Sequence, residues 1–352
     1  MSVETEPTVR SWTEGNVGVL VLNRPRVLNA LDEQMIRAMH RNLEGWATDD
    51  AVTAVWVHGA GEKGLCAGGD IRAVREAVRA GELEAAMAFF GEEYALDALV
   101  ADYPKPYVAW MDGVVMGGGV GISGHGSQRL VTERTRIAMP ETIIGFFPDV
   151  GALWLLSRAP GELGTHLALS GTSAGGADAI ALGLADAMVA SSAREEVRAH
   201  LRRVAAGGDP LAVAAWRPDP AHTITDETSD LAGQRAWIDE CYAGSDVATI
   251  LRRLRECSDP GAAAAAAAIE ARSPHSLAVT LEALRRAGEM SVSEVLTQDL
   301  TLARSVIAHA DFDEGVRAQL VDKDRRPQWS QSHPDQLTRH DVLSAFGHQG
   351  SS

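Results

Sequence analysis

Short β-branched runs, each leading through a glycine-rich loop into a helical pattern, recur along the first half of the chain. This alternation narrows the fold more than any other feature. "VGVLVL" (17–22) and "TAVWVH" (53–58) have the composition of strands. Between them, "LDEQMIRAMHRNLEGWA" spaces its apolar residues at a helical period, with Asp32 placed to cap the start. "GAGEKGLCAGGD" (59–70) then opens into the helical "IRAVREAVRAG". A second unit has a helix around 82–100, a strand in "KPYVAWMDG" and the glycine-rich "VVMGGGVGIS"; a third runs through "RLVTE", "RIAMP" and helices near 150–170 and 175–183. Strand, glycine loop and helix in repetition predict an α/β fold with parallel strands. The unit lengths shift, and no internal repeat of fixed period stands out.

The stretch 206–222, "AGGDPLAVAAWRPDPAH", is rich in Pro, Gly and Asp and reads as a linker. Beyond it the pattern is almost wholly helical, including the alanine run 262–268 and the amphipathic segments 275–287 and 293–309. The chain therefore divides into a core over 1–205 and a helical region over 223–345 packed on it. A net charge of −16 argues against nucleic acid or an anionic membrane as partner, and no run of ~18 apolar residues offers a membrane span. The start, "MSVETEPTVRSW", has neither the apolar stretch of a signal peptide nor an Arg-rich transit character. Cys66, Cys241 and Cys257 form no CxxC pair, which suits a reducing compartment, and the expected localisation is cytoplasmic.

Several chemistries are missing from the sequence. It contains no GxxxxGK[ST] loop and no HExxH, and its eleven histidines lack metal-ligand spacing, so no metal is expected. Gly171-Thr172-Ser173-Ala174-Gly175 matches GxSxG, but a nucleophile elbow needs a preceding strand and "ELGTHLALS" reads as helix. Ser173 is better placed to cap the helix that follows. The loops "CAGGD" (66–70) and "MGGGVG" (116–121) are more informative. Two glycine loops beside helix N-termini can aim two backbone N–H groups at one carbonyl oxygen, or can simply be tight turns. Further on, "AMPETIIGFFPDVG" (138–151) sets Glu141 and Asp149 around a nearly apolar stretch. Either these acids cap local backbone, or they face a pocket walled by Ile143, Ile144, Phe146 and Phe147.

"LNRPRVLNAL", "CAGGDIRAV", "KPYVAWMDGVVMGGGVGIS" and "AMPETIIGFFPDVGALWLL" together resemble the crotonase (enoyl-CoA hydratase/isomerase) superfamily over roughly residues 15–200. The resemblance implies a crotonase-like spiral of ββα units that binds coenzyme A thioesters. It implies oxyanion-hole N–H groups at Ala67 and Gly118, with Gly117 beside them. It also implies a CoA-binding loop over Cys66, Gly69, Asp70 and Ile71, with Arg26 near the phosphates. A hydratase of this superfamily uses two glutamates. Here Gly121 stands at the first of those positions and Glu141 at the second, with Asp149 eight residues on. Glu141, Asp149 and Glu93 of "GEEYALDALV" match the 3-hydroxyisobutyryl-CoA hydrolase branch. "SPHSLAVTLEAL", "SVSEVLTQDL" and "DFDEGVRAQLVDKDRRPQW" (311–329) resemble that branch's C-terminal helices, with Trp329 anchoring the tail on the core.

The implied reaction is hydrolysis of a short 3-hydroxyacyl-CoA, as in valine degradation, with CoA as part of the substrate and no further cofactor. Glu141 is either nucleophile or general base, and Asp149 positions water or shuttles the proton. Glu93 accepts the substrate's 3-hydroxyl, and Phe146 walls the acyl pocket. Two rival readings are a hydratase or isomerase of the same fold, and a CoA-binding protein without catalysis. The superfamily commonly forms trimers or hexamers, so a homo-oligomer is a further expectation.

Overall fold

Every residue of Val17–Leu22 is buried, as a strand covered on both faces requires. This strand, β2, pairs antiparallel with β1 (Val9–Glu14) and parallel with β3 (Ala54–Gly59). The crossover between β2 and β3 is α1 (Glu33–Thr48), whose first turn is capped by Asp32 accepting the Met35 N–H at 2.9 Å. The computed structural model describes residues 6–347, so the expectation for the amino terminus falls partly on residues 1–5, outside the described residues.

Three further strand pairs follow the same course. β3 continues into β4 (Gly64–Cys66), then α2 (Ile71–Arg79) and α3 (Leu83–Ala101). β5 (Tyr107–Met111) and β6 (Val114–Met116) lead into α4 (Gly118–Gly124), and β7 (Gln128–Val131) into β8 (Arg136–Ala138). With β9 (Ala187–Met188), the long strands form a six-stranded sheet ordered β1-β2-β3-β5-β7-β9, while the short ones form a second sheet ordered β4-β6-β8. Each turn of the spiral thus gives one strand to each sheet, all parallel beyond β1. The expected spiral of ββα units is the observed architecture.

The third turn continues through α5 (Ala152–Leu156), α6 (Leu163–Ser170), α7 (Gly176–Ala181) and α8 (Arg194–Ala205). Ser173 does not cap α7. It is exposed, and the cap is Gly175, whose N–H donates to Asp178 at 3.1 Å. An acid at the third helical position satisfies that donor without Ser173. The 206–222 stretch carries α9 (Pro210–Ala214) and buries Val213 and Trp216 with Trp56 and Trp110 against the outer face of the large sheet. The apolar area of Trp216 holds to the core a segment whose Pro, Gly and Asp content reads as linker.

Seven helices among the described residues make up the C-terminal region: α10 (Asp230–Tyr242), α11 (Val247–Glu256), α12 (Pro260–Glu270), α13 (Pro274–Ala287), α14 (Val292–Ile307), α15 (Ala310–Val316) and α16 (Arg339–Ser344). The alanine run lies in α12 and buries Ala262, Ala265, Ala266 and Ile269, one helical face. α14 packs along α3, α13 along α6, and α15 against α2. A single π-helical turn, Arg317–Val321, follows α15 and is tied to α2 by Arg72 donating to Leu320 O. Trp329 is half-buried and donates from Nε1 to Ala271 O at 3.2 Å.

Candidate active site

Three backbone turns meet at one cavity of about 280 Å³. β4 runs through Ala67–Gly69 into α2, β6 turns at Gly117 into α4, and β8 enters the 3-10 turn Glu141–Ile144. Because β4, β6 and β8 are parallel neighbours, their C-terminal ends and the loops that follow lie together at one edge of the sheet. Gly117 has φ +51° and ψ −124°, a conformation open in practice to glycine alone. A methyl on it would also lie 2.9 Å from Glu141 Oε1.

Ala67, Gly69, Ile71, Gly117 and Gly118 line the cavity from the loops, Glu93 lines it from α3, and Glu141, Phe146 and Asp149 from the third turn. Phe146 is fully buried, stacked on Phe90 at 5.4 Å and tilted against Phe147 at 4.5 Å. Arg26, Cys66 and Asp70 stand outside the cavity lining. Arg26 is exposed on the turn Pro25–Val27. Cys66 is fully buried beneath the loop, and burial pushes its thiol up to about 12. Asp70 lies 3.8 Å from Arg24 and lines a neighbouring groove between α1, α2 and α3.

One expected oxyanion donor changes. The Ala67 N–H donates to Leu28 O at 3.0 Å, so it is not open to a ligand. The loop then bridges Leu31 on both sides of Gly69: Leu31 donates to Gly68 O at 2.8 Å, and Asp70 donates to Leu31 O at 2.9 Å. Alternation along a bridged segment turns the intervening Gly69 N–H away from Leu31. Among the described residues, the Gly69 and Gly118 N–H groups have no acceptor, and both glycines line the cavity.

Carboxyl groups dominate the electrostatics. Glu93, Asp97, Glu141, Asp149 and Asp299 are all buried, and among the described residues no lysine or arginine lines the cavity. Glu93 Oε1, Glu141 Oε2, Asp299 Oδ1 and both oxygens of Asp97 have no hydrogen-bond partner. The Tyr94 hydroxyl donates to Asp149 Oδ2 at 2.8 Å. Burial pushes Glu141 and Glu93 well above the usual carboxylate range, and the nearby Asp149 charge adds to both. Burial also raises Asp149, to about 7, against the stabilising hydrogen bond from Tyr94. Such a cluster cannot carry a charge on every member at neutral pH. Acid and base forms coexist within the cluster, the arrangement proton-transfer chemistry needs.

Tyr94, Asp97, Asp299, Gln319 and Leu320 were not among the sequence candidates. Gln319 and Leu320 line the cavity from the π-helical turn, and Tyr94 and Asp97 share α3 with Glu93. A signal for α3 exists in the sequence. Phe89, Phe90, Tyr94, Leu96 and Val100 leave no broad solvent face, so Glu93 and Asp97, one turn apart, must enter the interior.

The family model described as enoyl-CoA hydratase/isomerase matches residues 17–346. A zebrafish (Danio rerio) protein named mitochondrial 3-hydroxyisobutyryl-CoA hydrolase is 39% identical, over 90% of this chain and 84% of the relative. The proteins of that name from Rattus norvegicus and Homo sapiens are 38% and 37% identical, over 100% and 96% of this chain and 92% and 88% of theirs. Among solved structures, one described as a carnitinyl-CoA dehydratase from Mycobacterium thermoresistibile aligns with a TM-score of 0.89 at 44% identity, covering 96% of each chain. Another, described as an enoyl-CoA hydratase from Rhodobacter sphaeroides, aligns with a TM-score of 0.90 at 35% identity, covering 97% of this chain and 98% of that one.

Proposed function

The chain belongs to the enoyl-CoA hydratase/isomerase family, and we propose that within it the protein is an acyl-CoA thioester hydrolase acting on 3-hydroxyisobutyryl-CoA, a step of valine breakdown. One observation carries the reading: Glu141 and Asp149 face a single small cavity opposite two glycines with unengaged N–H groups. The cavity has room for a short acyl group. The nucleotide of CoA has to lie outside it, along the 66–71 loop, with the exposed Arg26 available to its phosphates.

The thioester oxygen sits between the Gly69 and Gly118 N–H groups, which stabilise the negative charge that develops there by about 3 kcal/mol per well-placed donor. Glu141 and Asp149 share one proton. At rest, burial and the Asp149 charge hold the proton on Glu141, while Asp149 keeps the Tyr94 hydrogen bond. Transfer of that proton to Asp149 frees the Glu141 carboxylate, which attacks the carbonyl carbon as the C–S bond breaks. The departing thiolate takes the Asp149 proton, leaving a mixed anhydride on Glu141. Asp149, now ionised, takes a proton from water as its oxygen adds to the acyl carbon. The anhydride C–O bond breaks, the free acid departs and Glu141 returns as carboxylate. Glu93 accepts the 3-hydroxyl and so favours hydroxylated acyl groups. CoA enters as part of the substrate and no other cofactor takes part. The three free thiols suit a reducing compartment, and we place the protein in the cytoplasm; the relatives above carry a mitochondrial designation.

Hydration of a double bond is the second reading, since two similar solved structures are described as a hydratase and a dehydratase. Following thiol release and hydration in parallel, with 3-hydroxyisobutyryl-CoA and crotonyl-CoA, separates the two. Thiol release from the hydroxyacyl thioester alone is expected. Hydration of crotonyl-CoA without thiol release would overturn the proposal.

The shared proton sets the pH dependence. Below about 7 both acids are protonated and no nucleophile exists, so log kcat is expected to rise with unit slope below about 7 and to level off above it. Tyr94 stabilises the ionised form, which lowers that midpoint. Tyr94→Phe is therefore expected to move it upward by about 1 pH unit, the scale of a hydrogen bond to a charged group. A pH–rate profile with the midpoint unmoved would remove Tyr94 from the proton bookkeeping.

A further inference from the structure

The turn that carries Asp149 is strained. Val150 follows at φ +53° and Gly151 at φ +70°. A β-branched residue in the left-handed region costs on the order of 1–3 kcal/mol, and such a turn persists only where its surroundings over-determine it. Two side chains grip it from outside the turn. The His125 Nε2–H donates to Val150 O at 2.9 Å, and Asp299 Oδ2 accepts the Gly151 N–H at 2.9 Å.

Asp299 comes from α14, in the C-terminal region, 148 residues along the chain from Gly151. It is fully buried, and its second oxygen has no partner. Leaving a carboxyl half-satisfied in the interior destabilises the fold, so packing does not account for it. Its one bond goes to the residue two beyond Asp149. On the other side, the Tyr94 hydroxyl fixes Asp149 from α3, the helix against which α14 packs.

We propose that Asp299 is a positioning residue: its carbonyl oxygen, by holding the Gly151 N–H, locks the left-handed Val150–Gly151 turn and so aims the Asp149 carboxyl at the cavity. The helical C-terminal region thereby takes part in the geometry of the reaction. This rests on the hydrolase reading, in which Asp149 moves the proton. Tyr94 and Asp97 of α3 act on both Asp299 and Asp149, Glu93 of α3 and Glu141 of the third turn act on Asp149, and His125 at the end of α4 holds Val150 between them. Burial raises the Asp299 carboxyl well above the usual range, with the Gly151 N–H bond working the other way and the Asp149 charge adding to the rise. An asparagine reproduces the shape of the group and its acceptor oxygen.

The test compares Asp299→Asn, which keeps the acceptor, with Asp299→Leu, which keeps the volume and removes it. Asp299→Leu is expected to lower kcat by about tenfold to a hundredfold, the cost of misplacing a reacting group by about 1 Å. KM should stay within about twofold and the midpoint of the kcat–pH profile should move. Asp299→Asn should stay within about threefold of wild type on both constants, with the midpoint in place. Amide exchange over residues 147–152, read on the same samples, should quicken in Asp299→Leu only. Wild-type rates, profile and exchange in Asp299→Leu would overturn the proposal, as would an Asn variant as damaged as the Leu one. A Leu variant too unstable to assay would overturn it also, because it would assign the carboxyl to the fold rather than to the turn. If the wild-type protein released no thiol, the hydrolase reading would fail by itself. The exchange arm would still decide whether Asp299 holds the turn.

Discussion

Replacing Glu141 by Gln is expected to reduce thiol release from 3-hydroxyisobutyryl-CoA by about a thousandfold or more, because an amide is neither a nucleophile nor a base. CoA affinity should survive. In the proposed reaction the oxyanion donors are backbone groups of Gly69 and Gly118, and the loop proposed to receive the nucleotide leaves a different strand from the one that leads to Glu141. The fold should survive as well. Glu141 is buried with Oε2 unpartnered, and burial raises its carboxyl well above the usual range, so the folded state disfavours its charged form. The sign follows from linkage. A carboxyl raised in the folded state contributes stability that is complete below its unfolded value of about 4.3 and declines as pH rises toward its folded value. Gln removes that decline, so the variant should melt no lower than wild type at pH 8. Steady-state thiol release, CoA titration and thermal melting on one preparation separate the three statements. Turnover surviving at a tenth of wild type would make Asp149 the sole base and end the covalent route. Loss of CoA binding together with turnover would place the defect in folding of the 138–151 turn.

How much of the fold is legible in the sequence depends on how much backbone each feature spans. β2 and β3 are six residues long with β-branched or large apolar side chains, and α1 combines a helical period with an Asp cap, so both are legible. β4, β6 and β8 are three residues each, too short for a pattern to emerge from the glycine loops beside them, so composition and periodicity do not place the second sheet and only the family resemblance implies it. The same limit applies inside the site. Motif order places Glu141, Asp149, Gly118 and Glu93 at one cavity, but which N–H of "CAGGD" is open depends on where Leu28 and Leu31 lie. That is a long-range contact which no local spacing records. Asp299 is harder still. It reads as a polar residue on an amphipathic helix, and only the packing of α14 on α3 brings it to Gly151.

Gly121 is where the space left by one residue decides what chemistry can be built. Restoring the acid a hydratase would carry there, by Gly121→Glu, is expected to destroy the fold rather than to add hydration. A Cβ at this position would lie 2.6 Å from Asp97 Oδ1 and 2.8 Å from Val150 Cβ, inside a helix buried along its whole length. The remaining side chain would have to enter an occupied core and set a fourth carboxyl beside Glu93, Asp97 and Asp149. Overpacking alone costs about 1–3 kcal/mol, and an unpaired buried charge adds about as much again, so a loss of about 4 kcal/mol or more is expected. Pressure on Val150 would also reach Asp149 directly, through the strained turn they share. The milder Gly121→Ala isolates the steric part. Its loss in melting temperature should shrink when Asp97→Ala is added, a non-additivity expected only where two side chains compete for one space. A Gly121→Glu protein that melted like wild type and hydrated crotonyl-CoA would show that the site holds room for both activities. The division of labour would then rest on the acyl group rather than on Asp97, which fills in this chain the volume another acid would need.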